Sequence, residues 1–237
     1  MSEGTQPRDA ANWARPGGPL TASNVPSGAL DTVGGKQVLS PIQGFGQMWQ
    51  KTYKVSLGSA PVTPQQVIAV WKDEFPLFWP AGNEFYAPLT GIAPGEVALL
   101  EAAVGGGMKL STGVLVIYAD DESFTFMTPQ GHMFAGWITF SAYEQDGATC
   151  AQAEVLMRAQ DPLTELGLTF GGHRKEDVFW AETMRALARR FDVEAEPVTN
   201  VVCVERRRQW SRVGNVRHSS AFRSSLHTAT APFRKRG

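Results

Sequence analysis

The chain has 237 residues, 43% of them hydrophobic and 19% charged, with a net charge of -1. This is the composition of a folded domain, and a balance so near zero excludes any argument from total charge to a nucleic-acid or membrane partner. The distribution is uneven, because residues 204 to 237 hold nine Lys or Arg and one acid, Glu205, whereas those before them hold 13 basic and 22 acidic residues.

Residues 1–44 are rich in Gly, Pro, Ser and Thr and read as a disordered or loosely ordered segment. The opening "MSEGTQPRDAANWARPGG" has no apolar stretch of the secretory kind. Order is expected from about residue 45, where "QMWQKTYKVSL" suits a strand. In "PVTPQQVIAVWKDEFPLFWP" a helix start is spelled out: Thr63 as N-cap, Pro64 in the first turn and Gln66 closing a capping box. Val67, Val70, Trp71 and Phe75 follow at helical spacing, and Pro76 and Pro80 end the helix.

A run of strands comes next: "GEVALLEAAV", a glycine turn at 105–107, "LSTGVLVIYA", a tight "DDE" connection, "SFTFMT", "GWITFSAYE", a "QDG" turn and "ATCAQAEVLMRA". Short turns between successive strands imply an antiparallel meander. In the fourth strand the alternation puts Trp137, Thr139, Ser141 and Tyr143 on one face and Ile138, Phe140 and Ala142 on the other. Asp161 and Pro162 repeat the helix-start signal. A short helix follows, interrupted at Gly171 and Gly172, and then a longer one over 175–191 with Ala181, Met184, Leu187, Ala188 and Phe191 in one apolar stripe. Residues 196–237 form a basic C-terminal tail.

This order of elements, together with "FTFMTPQGHMFAGWITFSA", "RAQDPLTELG" and "FWAETMRALARRF", resembles uncharacterised bacterial members of the START-like (SRPBCC) superfamily, over roughly residues 47–193. The resemblance implies an α+β helix-grip fold, a curved antiparallel sheet wrapped around a long C-terminal helix, with an apolar cavity between them. It implies a small apolar ligand, lipid, sterol or polyketide-like, with a polyketide cyclase or dehydratase of the same fold as the alternative. It matches no catalytic residue of those enzymes, and it implies no cofactor.

The expected ligand-binding residues are Trp71, Phe75, Phe126, His132, Trp137, Thr139, Tyr143, Phe179 and Met184; for the large apolar side chains among them, core packing is the competing reading. His132 lies between Gly131 and Gly136 with no evident nucleophile beside it, so a turn, a hydrogen-bonding group at a pocket mouth and an acid–base role stand in that order. His173 reads as a solvated helix start, with a gating loop hinged at Gly171 and Gly172 as the alternative. The acids of "DDE" read as a hairpin cap in water, while Glu101 and Glu154 fall within apolar strands and face either way. Four histidines without metal spacing, and Cys150 and Cys203 far apart, give no metal site and fit a reducing, cytoplasmic setting. "VGGGMK" lacks the spacing of a phosphate loop. The tail mixes Arg with Trp210, Phe222 and Phe233, which suits an anionic surface or nucleic acid. The favoured reading lays it across the acidic body of its own chain or of a neighbouring copy in a homodimer. No apolar run approaches the ~20 residues of a membrane span.

Overall fold

The computed structural model describes residues 10–218 except 16, 24, 26–28, 30, 59, 106 and 107. Eight strands alternate with three α-helices: β1 (Met48–Ser56), α1 (Pro64–Asp73), β2 (Glu84–Tyr86), β3 (Val97–Gly105), β4 (Met108–Ala119), β5 (Ser123–Met127), β6 (Phe134–Gln145), β7 (Ala148–Ala159), α2 (Pro162–Gly167), α3 (His173–Arg190) and β8 (Val198–Glu205). All strands belong to one sheet in the order β2-β3-β4-β5-β6-β7-β1-β8, and each neighbouring pair is antiparallel. The meander from β2 to β7 is closed on its far side by β1, and α1 and α3 pack on one face. This is the helix-grip arrangement, an α+β fold.

The start signals act as the residues predict. The Thr63 hydroxyl accepts from the Gln66 N–H at 3.2 Å, and the Thr63 N–H donates to Gln66 Oε1 at 2.9 Å. Asp161 Oδ1 accepts from the N–H groups of Leu163 and Thr164 at 2.9 and 3.0 Å. At the β4–β5 connection Asp120 Oδ1 accepts from the N–H groups of Glu122 and Ser123 at 2.9 and 2.7 Å, so the first acid of "DDE" is a turn-former. The glycine turn expected at 105–107 falls largely outside the described residues.

Alternation sorts the strands into two faces. Tyr53, Val55, Ala98, Leu100, Val114, Val116, Phe124, Phe126, Phe140, Ala153 and Val155 join Trp71 and Phe75 and the α3 residues Met184, Leu187 and Ala188 in one buried core. The opposite face of β3 and β4 presents Val97 and Leu99, which Leu20 and Val33 cover. Parts of the N-terminal segment are thus laid on the outer face of the sheet. A register shift between Val116 and Tyr118 reverses the alternation of β4. Tyr118 accordingly meets Trp13 at 4.7 Å between ring centroids, while Ala119 belongs to the inner core.

Two strands are absent from the sequence reading. β2 is three residues long and pairs only with β3. β8 begins just beyond residue 195, where the tail was expected to start, and pairs only with β1. Its eight residues are mostly exposed and carry no alternation of buried and exposed positions, so it gives no period-two signal.

Candidate ligand cavity

Along α3 the spacing between helix and sheet changes. Its C-terminal half buries Met184, Leu187 and Ala188. Its N-terminal half, carrying Glu176, Phe179 and Trp180, bounds a cavity of about 510 Å³. The sheet side is formed by Phe85, Leu100, Val114, Phe126, Ile138, Val155 and Met157, and the segment that follows α1 adds Phe75 and Trp79. The mouth is framed by Ala103 and Lys109 from β3 and β4 and by Leu163 and Phe170 from the α2 region. Phe170 is 81% exposed although it borders an apolar cavity. Between α2 and α3 the helical path kinks, with Phe170 at φ −92°, ψ 36° and Gly171 at φ +105°. The glycine pair expected as a break is therefore a kink between two helices that adjoin.

A buried polar cluster lies beside the cavity and meets it at Glu176. Lys51 shares the inward parity of Tyr53 and Val55 and is fully buried. Its Nζ donates to Glu176 Oε2 at 2.9 Å and to Asp177 Oδ1 at 2.7 Å. The Tyr53 hydroxyl donates to the same Asp177 oxygen at 2.7 Å. Burial pushes Glu176 up to about 7, against the pull of Lys51. Burial, followed by the Asp177 and Glu176 charges around it, also raises the Tyr53 phenol, which stays neutral. His173 is half-buried rather than a solvated helix start: its ring lies 4.7 Å from that of Trp49, its Nδ1 is buried without a partner, and burial together with Lys51 holds it down to about 4.

His132 lies on the other side of the cavity wall. The Phe134 N–H donates to His132 Nδ1 at 2.9 Å, which leaves the proton of the neutral ring on Nε2. Burial, assisted by the Lys36 charge, pushes this imidazole down to about 4. Gly131 has φ +88°, and its N–H donates to Gln160 Oε1, so the turn is tied to the end of β7. Gly136 is required for a different reason: a Cβ there would lie 2.1 Å from the Leu156 carbonyl oxygen.

The structure sorts the sequence-predicted residues into three groups. Phe75, Phe126, His132 and Phe179 border the cavity, and Trp137 also lies along it although its position in β6 is on the outward face. Trp71 and Met184 are fully buried in the core beside it. Thr139 and Tyr143 belong to the polar outer face. The Thr139 hydroxyl lies 2.9 Å from that of Thr125, and Tyr143 donates to Gln152 at 3.1 Å and lies under Lys54 Nζ at 5.3 Å from the ring centroid. Tyr143 also borders a separate hollow of about 330 Å³ with Thr63, Gln65 and Glu122. The reason is alternation: the inward set of β6 is Ile138, Phe140 and Ala142. Glu101 and Glu154 share outward parity; Glu101 pairs with Lys109 at 3.1 Å, and Glu154 accepts from Gln50 at 3.0 Å.

Sequence reasoning missed Lys51, Glu176 and Trp79. The parity of Lys51 with Tyr53, Val55 and Leu57 is a signal that could have found the first. Nothing local marks Glu176 among the charges of "HRKED". Among the described residues no cluster of three or more His, Cys, Asp or Glu suits a metal ion, and no helix is long and apolar enough to cross a membrane.

The described start of the basic tail is bound to its own chain. Arg158, fully buried, donates to the carbonyl oxygens of Gly46 at 2.6 Å and Arg207 at 3.0 Å and pairs with Glu205. Arg208 pairs with Glu165 at 2.8 Å, and Asn215 donates to the carbonyls of Gln43 and Gln160, each at 2.9 Å. Residues 219–237, with Phe222 and Phe233, lie outside the described residues.

No protein-family model and no curated protein matches the sequence. Several solved structures are similar in their arrangement. A START superfamily protein from Mycobacterium smegmatis is 19% identical, with a TM-score of 0.42 over 62% of this chain and 98% of that one. Ginseng major latex-like protein 151 from Panax ginseng is 12% identical, with a TM-score of 0.43 over 62% of this chain and 99% of that one. The di-domain ARO/CYC StfQ from the steffimycin biosynthetic pathway is 11% identical, with a TM-score of 0.45 over 61% of this chain and 50% of that one. Values of this size transfer neither a site nor a ligand.

Proposed function

We propose that this protein binds a small, largely apolar molecule in the cavity between the sheet and the N-terminal half of α3. The observation that carries this reading is the cavity itself. Aromatic and aliphatic residues of the sheet, of the segment after α1 and of α3 face about 510 Å³ that no side chain fills. Transfer of an apolar ligand into such a space is favoured by roughly 25 cal/mol for each Å² removed from water. Phe75, Phe126 and Phe179 are the proposed apolar contacts, and His132 Nε2 is a donor for an oxygen of the ligand.

Native mass spectrometry of the full chain purified from its own host tests this. A co-purifying apolar molecule, lost under denaturing conditions, is the expected result. A chain that carries nothing and also fails to bind a solvatochromic apolar dye would overturn the reading.

A second reading, chemistry on the ligand in the same cavity, draws support from His132 and Glu176, two titratable groups that line it. It requires that the molecule added to the protein be recovered with a changed mass, and that Glu176→Gln or His132→Gln stop the change. Recovery of the unaltered molecule leaves binding alone.

A further inference from the structure

The polar cluster beside the cavity is unequal in charge. From β1 it receives Lys51 and the neutral Tyr53; from α3 it receives Glu176, Asp177 and the imidazole of His173, which burial holds neutral. Lys175, also on α3, is exposed at the rim. One ammonium therefore faces two carboxylates. Asp177 is the better served of the two, with Lys51 and Tyr53 both donating to it and a side chain 31% exposed. Glu176 has only Lys51, and only on Oε2. Its side chain is 9% exposed, it borders the cavity, and Oε1 takes no hydrogen bond from the chain. Elsewhere in the lining, Nε1 of Trp79 is buried without a partner. The cavity thus presents polar atoms that its own chain leaves unanswered, and the larger charge deficit lies at Glu176.

A carboxylate in this position is expensive to ionise, because burial strips its hydration while the one nearby cation is shared. A ligand that brings its own cation supplies the missing charge and lets Glu176 ionise. In a water-poor setting that attraction is far stronger than between groups in bulk solvent. A ligand hydroxyl would donate one hydrogen bond to Oε1 but would leave the charge deficit in place.

We propose that the molecule held in this cavity is basic: an apolar body bearing one protonated amine, seated with its ammonium against Glu176 Oε1. This rests on the apolar-cavity reading above and adds to it the chemical class of the ligand.

Two probes of the same size decide it: 1-naphthylmethylamine and 1-naphthalenemethanol, titrated calorimetrically into the full chain. At about pH 8 the amine is expected to bind the wild-type protein at least about tenfold more tightly than the alcohol. In Glu176→Gln the two affinities are expected to come within about threefold of each other, with the alcohol unchanged. Lys51 keeps Asp177 as a partner in that variant, which favours its folding. The amine's advantage is also expected to shrink as the pH falls from about 8 to about 5.5, since Glu176 becomes neutral while the probe stays charged. Equal binding of both probes by the wild-type protein, or tighter binding of the alcohol, overturns the basic-ligand inference and leaves the apolar cavity standing. An advantage that persists in Glu176→Gln also overturns it. Failure of both probes to bind removes the inference and the cavity reading together. Should Glu176→Gln not fold, the wild-type comparison of the two probes is decisive alone.

Discussion

The sheet meets its helices in two ways. Where α1 crosses β5 and β6, the interface is solid. Trp71 lies 5.1 Å from Phe140 between ring centroids, Phe124 stacks on Phe140 at 4.7 Å, and all three are fully buried. Where the first turns of α3 face β6 and β7, a cavity lies between them, and at its edge α3 meets β1 through a buried ion cluster. Both regions are rich in aromatics, so composition does not separate them. The difference lies in what each aromatic meets. Phe124 and Phe140 are packed among other rings and do not line the cavity, whereas Phe179 and Trp180 have ring partners and also border it. The same residue type therefore serves stability in one region and ligand contact in the other.

The comparison can be broken first at its solid end. Trp71→Ala removes the largest side chain of the ring cluster, and about 3–5 kcal/mol of stability is expected to go with it, read from chemical denaturation. A loss under about 1 kcal/mol would mean that the cluster is not closely packed. At the open end, Lys51→Met leaves Glu176 and Asp177 without their ammonium. About 3 kcal/mol is expected to be lost at neutral pH, and less at pH values where Glu176 is protonated. Insensitivity to this change would place Lys51 in solvent rather than in the corner.

The pH dependence of stability sharpens the contrast. Burial raises Glu176 to about 7 from an ordinary 4.5. Between these values the folded chain holds a proton that the unfolded chain has released. Glu176 thus takes away stability as the pH rises through that window, on the order of 3 kcal/mol. The buried imidazoles act with the opposite sign. His132 and His173 are pushed down to about 4 from 6.5, so each adds stability as the pH rises from 4 to 6.5. Glu176→Gln is expected to abolish the first slope and keep the second, in denaturation midpoints measured across the range. Matching profiles for variant and wild type would take Glu176 out of the buried corner.

The smallest stability effect is expected at the cavity wall. Val155→Phe adds a ring where space exists, so it should cost under about 1 kcal/mol, whereas overpacking a filled core costs about 1–3 kcal/mol. The same variant is expected to weaken binding of an apolar probe about tenfold or more. Unchanged probe affinity would place the ligand elsewhere.

Local chemistry made much of this legible. Thr63, Pro64 and Gln66 mark the start of α1 through a capping box that needs only neighbouring residues, and Asp161 with Pro162 does the same for α2. The alternation in "GWITFSAYE" separates the two faces of β6 correctly, although Trp137, Thr139 and Tyr143 come from the face that proves to be outside. Alternation tells which residues share a face and not which face is inward. β8 was illegible because an exposed edge strand has no buried face to impose a period. Lys51 and Glu176 were illegible as a pair because they lie 125 positions apart and meet only when α3 is laid against β1.

Residue order alone therefore determined the strand and helix types, their start signals and the antiparallel run, since each depends on interactions within a few positions or on a simple period. Tertiary structure alone decided which aromatics are core and which are wall, and that one lysine and two acids share a buried corner. Those outcomes depend on the distance at which α3 stands from the sheet, which is set by the summed packing of side chains far apart in sequence.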